Sequence, residues 1–292
     1  MIFFLLSITA MLGYAIYGSL IVHHIRKHDG LSVATVRNLS LIISMSPLLL
    51  LAEPSNFIQL PEYLPKLIAA GFTGAASMIF SFWSFKFLPI GIKTALSRIG
   101  GVIVVFLVSW FWFRESPTLI EITWIIPVII GGTALATQKI KLDHLDERTG
   151  LGVLLALIGV TFSSLSFVQM SDVARDLDPF IAGYGWEISI GLWALVFGLI
   201  RWMLCAKKPF GDIKLPEAGR IALVSIPTLI GTGAFALAVT MGPIGIANAI
   251  GTGGIFVSIL MGHYLYHEKM TNKQWLWIGI CVAGLLGLGL LS

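Results

Sequence analysis

"LPIGIKTALSRIGG", residues 88–101, and "GPIGIANAIGTGG", residues 242–254, are two versions of one pattern within a single chain. Pro-Ile-Gly-Ile occurs at 89 and again at 243, a shift of 154, and one deleted residue then makes the shift 153. At that shift Gly101 meets Gly254, Glu115 meets Glu268, Thr118 meets Thr271, Trp124 meets Trp277 and Gly131 meets Gly284. Self-similarity at a fixed period marks a duplicated architecture. What one copy contains therefore decides the fold.

The 292 residues are 57% hydrophobic and 12% charged, with mean hydropathy +0.90. An ordinary soluble domain is about a quarter charged, so this chain has too little polar surface to coat a globule in water. Apolar runs long enough to cross a hydrocarbon core of about 30 Å recur from end to end. They fall near 2–22, 31–52, 64–86, 90–113, 119–138, 151–170, 180–204, 217–240, 244–266 and 273–291. The runs are uniform rather than alternating, which in lipid means helices. The first lacks a basic leader and an A-x-A site, so an uncleaved helix is expected.

Five spans fall in each copy. An odd number sends the second copy into the membrane from the opposite side. The expected fold is an all-α membrane protein of ten transmembrane helices, arranged as two inverted five-helix repeats over residues 1–140 and 150–292. Thr118 to Glu121 and Thr271 to Gln274 both read as capping boxes, in which side chains satisfy the free N–H groups of a helix start. They open the fifth and tenth spans. Trp124 and Trp277, one turn further in, suit the interfacial aromatic belt.

This pattern resembles the drug/metabolite transporter superfamily, specifically its ten-helix members with two EamA domains. The resemblance covers the whole chain and rests on the paired units. Each has a proline- and glycine-marked fourth helix ending in a Glu, in "WFRES" at Glu115 and "YHEKM" at Glu268. It implies a ten-helix bundle with a central cavity and alternating access, moving metabolites, amino acids or drugs, with both termini in the cytoplasm.

The glycines then have a mechanical meaning. Gly251, Gly253 and Gly254, with Ala247 and Ala249, give a helix a thin face that either admits a neighbouring helix or leaves room for a ligand. A phosphate loop would need a Gly-Lys-Ser/Thr ending or a preceding strand, and neither is present.

Arg37, Lys93, Arg98, Arg201 and Arg220 fall inside the spans. Arg201 and Arg220 lie near span ends, where a long side chain reaches water. Arg98 is deepest, eight residues into its span and so roughly 12 Å along the axis. A cation at that depth costs several kcal/mol unless it faces a wet cavity or a partner. Lys93 and Ser97 share its helix face, and Asn248 and Thr252 are the corresponding pair opposite. Glu187, within "YGWEIS", is the one comparably deep acid, to be read either as a salt-bridge partner of Arg98 or Arg37 or as the binder of an ammonium group or coupling proton.

Tyr14 and Tyr17 on the first span, and Tyr184 and Trp186 beside Glu187, are candidates to line a cavity or to anchor helices. The expected substrate-binding set is Arg98, Lys93, Ser97, Glu187, Asn248, Thr252, Arg37, Tyr184, Trp186 and Tyr14. His23, His24 and His28 read as a solvated loop, His263 as a structural residue, and no metal or cofactor is expected. Cys205 and Cys281 lie at different depths and should not bridge.

The net charge of +4 follows from topology, not from nucleic acid. Loops after odd-numbered spans hold Arg26, Lys27, Lys86, Lys139, Lys141, Arg148, Lys207, Lys208, Lys214, Lys269 and Lys273, whereas the other side holds Lys66, Arg114 and Arg175. By the positive-inside rule the first side is cytoplasmic and both termini are outside, opposite to what the resemblance implies.

The function expected is a secondary transporter in the cell (inner) membrane, moving a small carboxylate-bearing metabolite such as an amino acid or organic acid. Coupling protons or an exchanged solute would be its other partners. A multidrug exporter is the rival within transport. A membrane-embedded enzyme would need clustered acids or histidines, and Asp172, Asp176 and Asp178 are the nearest to that. A non-transporting receptor or assembly factor is the third alternative.

Overall fold

The computed structural model describes residues 1–84, 86–88, 90–137, 148–266 and 270–291, and within its helices leaves aside a few side chains, that of Arg98 among them. Among the described residues twelve α-helices run in order: α1 (Ile2–Lys27), α2 (Gly30–Ser44), α3 (Leu60–Ser84), α4 (Ile90–Phe113), α5 (Leu119–Thr137), α6 (Thr149–Asp176), α7 (Pro179–Cys205), α8 (Leu215–Ser225), α9 (Pro227–Met241), α10 (Ile244–Thr252), α11 (Gly254–Tyr266) and α12 (Asn272–Leu290). Among the described residues nine stretches are long and apolar enough to cross a membrane, with α8–α9 forming one and α10–α11 another, and α4 adds the apolar Ile99–Phe113. Leu, Ile and Trp side chains such as Ile43, Leu107, Trp110, Ile130 and Leu286 stand exposed on the outside, as a lipid-facing surface requires.

Local chemistry sets the helix ends. Thr271 and Gln274 form the expected capping box. At α5, Thr118 N–H donates to Glu121 at 2.6 Å and Glu121 N–H donates back to Thr118 Oγ1 at 3.3 Å. Asp178 caps α7 by accepting from the N–H groups of Phe180 and Ile181. Two spans are broken in midcourse. Pro227, which has no N–H to give, separates α8 from α9. Gly253 separates α10 from α11 through tight three-residue turns, Gly253 N–H to Ile250 O at 2.9 Å and Phe256 N–H to Gly253 O at 3.0 Å. That break falls where the second copy is one residue shorter than the first, whereas α4 passes through the matching position unbroken.

The two copies are antiparallel and related by a pseudo-two-fold. A Cβ on Gly131 of α5 would lie 2.9 Å from Trp277 O of α12, and a Cβ on Gly284 would lie 2.9 Å from Trp124 O. These are the same contact with the halves exchanged, since both pairs are 153 apart in the repeat. Residues that touch their own counterparts mark the axis, as at any isologous contact. Val128 meets Cys281 there, and Asn38 of α2 meets Gly191 of α7. Other crossings follow suit: α3 packs on α6 as α9 does on α1, and α4 on α6 as α10 and α11 do on α1. Cys205 is exposed, Cys281 is buried, and they are not bridged.

Candidate functional site

A cavity of about 250 Å³ lies between the halves at mid-length of their helices. Its wall is built by the repeat. Ser7, Ala10, Met11 and Tyr14 line it from α1, and Val160, Ser163, Ser164 and Phe167 line it from α6. Each α6 residue is the α1 residue plus 153, so one helical stripe is used twice. α4 contributes Ser97, Gly101 and Val105, and α10 contributes Ala247, Asn248, Gly251 and Thr252. Ser77, Ser81 and Phe235 complete the polar and aromatic lining. Seven Ser and Thr hydroxyls, the Tyr14 phenol and an amide stud a wall that is otherwise apolar, and uncharged among the described residues. The buried Oγ of Ser97 has no hydrogen-bond partner among the described residues.

The glycines divide their labour. A Cβ on Gly251 would meet nothing within 4 Å, so this position opens on the cavity. Gly253 is tight against Leu285, and Gly254 against Ala15 and Met11. Both uses of the thin face therefore occur, on different residues.

Beside the cavity lies a buried ion pair. Arg37 of α2 donates to Glu187 of α7 from Nη1 at 2.8 Å and from Nη2 at 3.4 Å, and both residues are more than nine-tenths buried. Asn38 Nδ2 donates to Glu187 at 3.4 Å and Thr232 Oγ1 donates at 3.0 Å. Arg37 also reaches Asn38 Oδ1 at 2.8 Å and Thr228 Oγ1 at 3.2 Å, with its guanidinium 4.7 Å from the centre of the Tyr17 ring. Removing either partner of such a pair costs about 3–5 kcal/mol, because the other charge is left stranded. Tyr14 links the pair to the cavity, its hydroxyl 2.9 Å from Thr232 Oγ1.

The ten residues expected from sequence thus divide into groups. Ser97, Asn248, Thr252 and Tyr14 line the cavity. Arg37 and Glu187 form the neighbouring pair. Tyr184 donates to Ile42 O at 2.9 Å and Trp186 Nε1 to Ser166 Oγ at 2.8 Å, and neither is part of the cavity lining, Trp186 standing behind Phe167. Lys93 is half-buried on α4, one turn before Ser97, and the Arg98 side chain lies outside the described residues. Ser7, Ser77, Ser81, Ser163 and Ser164 were not foreseen. Applying the shift of 153 to the first and sixth spans would have exposed the shared α1 and α6 stripe.

Charged clusters tie the halves together at both ends of the bundle. At one, Arg175 donates to Val239 O at 2.7 Å and Gly242 O at 3.1 Å, pairs with Glu115 at 2.6 Å, and stacks over Phe113. Glu115 in turn accepts from Ile244 N–H at 3.0 Å. Its repeat counterpart Glu268 lies outside the described residues. At the other end the histidines correct the expectation of a solvated loop. His24 is buried and bonded to Glu217 of α8 at 3.0 Å, and His28 bonds Asp212 in the segment before α8 at 3.0 Å, because α1 continues to Lys27 and carries both rings there. The His28 hydrogen bond holds the Asp212 carboxyl below its usual range. Burial pushes Asp29 up, but the hydrogen bond and charge of Arg201, with Ser32, outweigh it and leave that carboxyl lowered. No group of three or more His, Cys, Asp and Glu among the described residues is placed to hold a metal.

Comparison with known proteins agrees with this architecture. The EamA-like transporter family matches residues 1–137 and 150–290. A solved structure described only as "Crystal structure of protein" overlays 99% of this chain and 97% of its own, with TM-score 0.76 at 13% identity, a likeness of fold alone. No curated protein matches the chain in sequence. With nearly its whole length matched in two stretches, the chain belongs to the EamA-like transporter family.

Proposed function

We propose, with that membership as the premise, that the chain is a secondary transporter that carries a small carboxylate-bearing metabolite across the cell (inner) membrane by alternating access. The halves, residues 1–140 and 150–292, would rock about the cavity they share. The observation that carries the reading is the mid-depth cavity lined at repeat-equivalent positions by both halves, with a Ser97 hydroxyl in its wall that has no partner among the described residues. A site near the midplane at a repeat interface is the recurrent arrangement of secondary transporters.

The anionic preference is supported by the repeat. Lys93 and Arg98 correspond to Ala247 and Thr252, and both of these line the cavity. Hydroxyls and an amide orient a solute, and cations on α4 would favour a negative group in a medium of low dielectric constant. No catalytic role is assigned: Asp172 and Asp176 pair with Lys66, and Asp178 caps α7. A lipophilic-cation exporter would be opposed by the same α4 cations.

The test is uptake and counterflow in proteoliposomes with amino acids, organic acids and sugar phosphates, comparing wild type with Lys93→Ala and Arg98→Ala. Saturable movement of an anionic or zwitterionic solute, lost in the folded variants, is expected. Movement of hydrophobic cations only, or unchanged flux in both variants, would replace this reading with drug efflux.

A further inference from the structure

Hydrogen positions in the buried cluster follow from its partners. A carboxylate only accepts, so the 3.0 Å contact from Thr232 Oγ1 to Glu187 Oε1 uses the threonine proton. The 2.9 Å contact between Tyr14 and Thr232 must then be donated by the phenol. Tyr14 O–H and Thr232 O–H therefore donate in one direction, towards the Glu187 carboxylate that accepts at the end, and Tyr14 also lines the cavity.

From this chain we infer that Glu187 is the proton-coupling site of the transporter, loaded from the central cavity through Tyr14 and Thr232. The inference rests on the transport reading above. A proton carried by cavity water adds to the Tyr14 oxygen, Tyr14 passes its own proton to Thr232, and Thr232 passes its own to Glu187 Oε1. One O–H bond forms on the carboxylate for each proton taken from the cavity, and the reverse sequence returns it.

Neutralising Glu187 does not abandon Arg37. The guanidinium keeps Asn38 Oδ1, Thr228 Oγ1 and the Tyr17 ring, so the cost of a stranded cation is partly met within α1, α2 and α9. What is lost is an attraction between the halves, since Arg37 and Tyr14 belong to the first and Glu187 and Thr232 to the second. Protonation thus loosens the α2–α7 contact close to the pseudo-two-fold axis, where Asn38 meets Gly191. That is where a coupled rocking motion needs it.

The groups facing Glu187 are few. α2 supplies Arg37 and Asn38, α1 supplies Tyr14 and Tyr17 beside Arg37, and α9 supplies Thr228 and Thr232. α3 and α6 meet α7 through Leu67, Gly71, Gly74 and Ser166, and the turn after α2 meets it through Leu48, none of them titratable.

Infrared difference spectra of the reconstituted full-length protein between neutral and mildly acidic pH test this directly. Wild type should gain a protonated-carboxyl band that Glu187→Gln loses, and Tyr14→Phe should form it more slowly after a pH jump. Should Glu187→Gln fail to fold, Arg37→Gln with Glu187→Gln leaves no stranded charge and serves in its place. Identical spectra for wild type and variant overturn the inference. With any solute that the flux panel identifies, a pH gradient should drive accumulation by the wild type and should leave the flux of Glu187→Gln unchanged; gradient-driven accumulation by Glu187→Gln also overturns it. A panel with no flux in wild type would defeat the transport reading, while the spectra still decide whether Glu187 takes a proton.

Discussion

The two halves share a frame and differ in chemistry. On the α1 and α6 stripes, Tyr14 and Phe167 stand at equivalent positions and both line the cavity. Only Tyr14 has a hydroxyl to pass toward a carboxylate. On the fourth span the first half has Lys93, Ser97 and Arg98 on one unbroken helix, where the second has Ala247, Gly251 and Thr252 on a helix that breaks at Gly253. Duplication fixes where side chains point. Divergence since then has made one wall chemically distinct from the other.

The largest expected effect probes the asymmetry. Arg37→Ala or Glu187→Ala should each lower stability by about 3–5 kcal/mol, seen as a lower unfolding temperature, whereas the joint Arg37→Met and Glu187→Leu replacement should recover much of it. Equal losses for single and joint variants would contradict the pairing. The symmetric part of the comparison is tested next. Gly131→Ala and Gly284→Ala should cost similar amounts, about 1–3 kcal/mol, because each drives a Cβ into the partner helix's backbone. Gly251→Ala should leave the unfolding temperature nearly unchanged.

A smaller effect is expected from Tyr14→Phe, which turns Tyr14 into its own repeat counterpart. Losing that hydrogen bond should cost about 1 kcal/mol of stability. The least is expected at the bundle's end. Asp29 and Asp212 have folded-state pKa values below the ordinary 3.8, so their stabilisation is complete above that value and fades as pH falls through the lower, folded one. Acid unfolding curves of Asp29→Asn and Asp212→Asn should converge with wild type at the acid end. A difference that grows there would contradict the sign.

Spans and their inversion were legible because hydropathy and an odd helix count need no distances. The sequence placed the fourth span at 90–113, and α4 runs Ile90–Phe113. Both members of the buried pair stood out as charges in apolar runs, yet Glu187 could be matched to Arg37 or to Arg98, since sequence spacing carries no information on which helices meet. The His24 contact was missed for the same reason: Glu217 is 193 residues away. A local clue existed in Ile21, His24 and His28, a helical stripe continuing past the apolar run. The break at Gly253 was also hidden, although the missing residue in the second copy marked its position.

On the proposed function, solute passes through a cavity made jointly by equivalent faces of the two halves. Counterflow in proteoliposomes of Ser97→Trp and Gly251→Trp, which plug that cavity from equivalent positions on α4 and α10, tests it most directly. Both folded variants should lose flux. Flux at the wild-type rate in both would place the path elsewhere and contradict it.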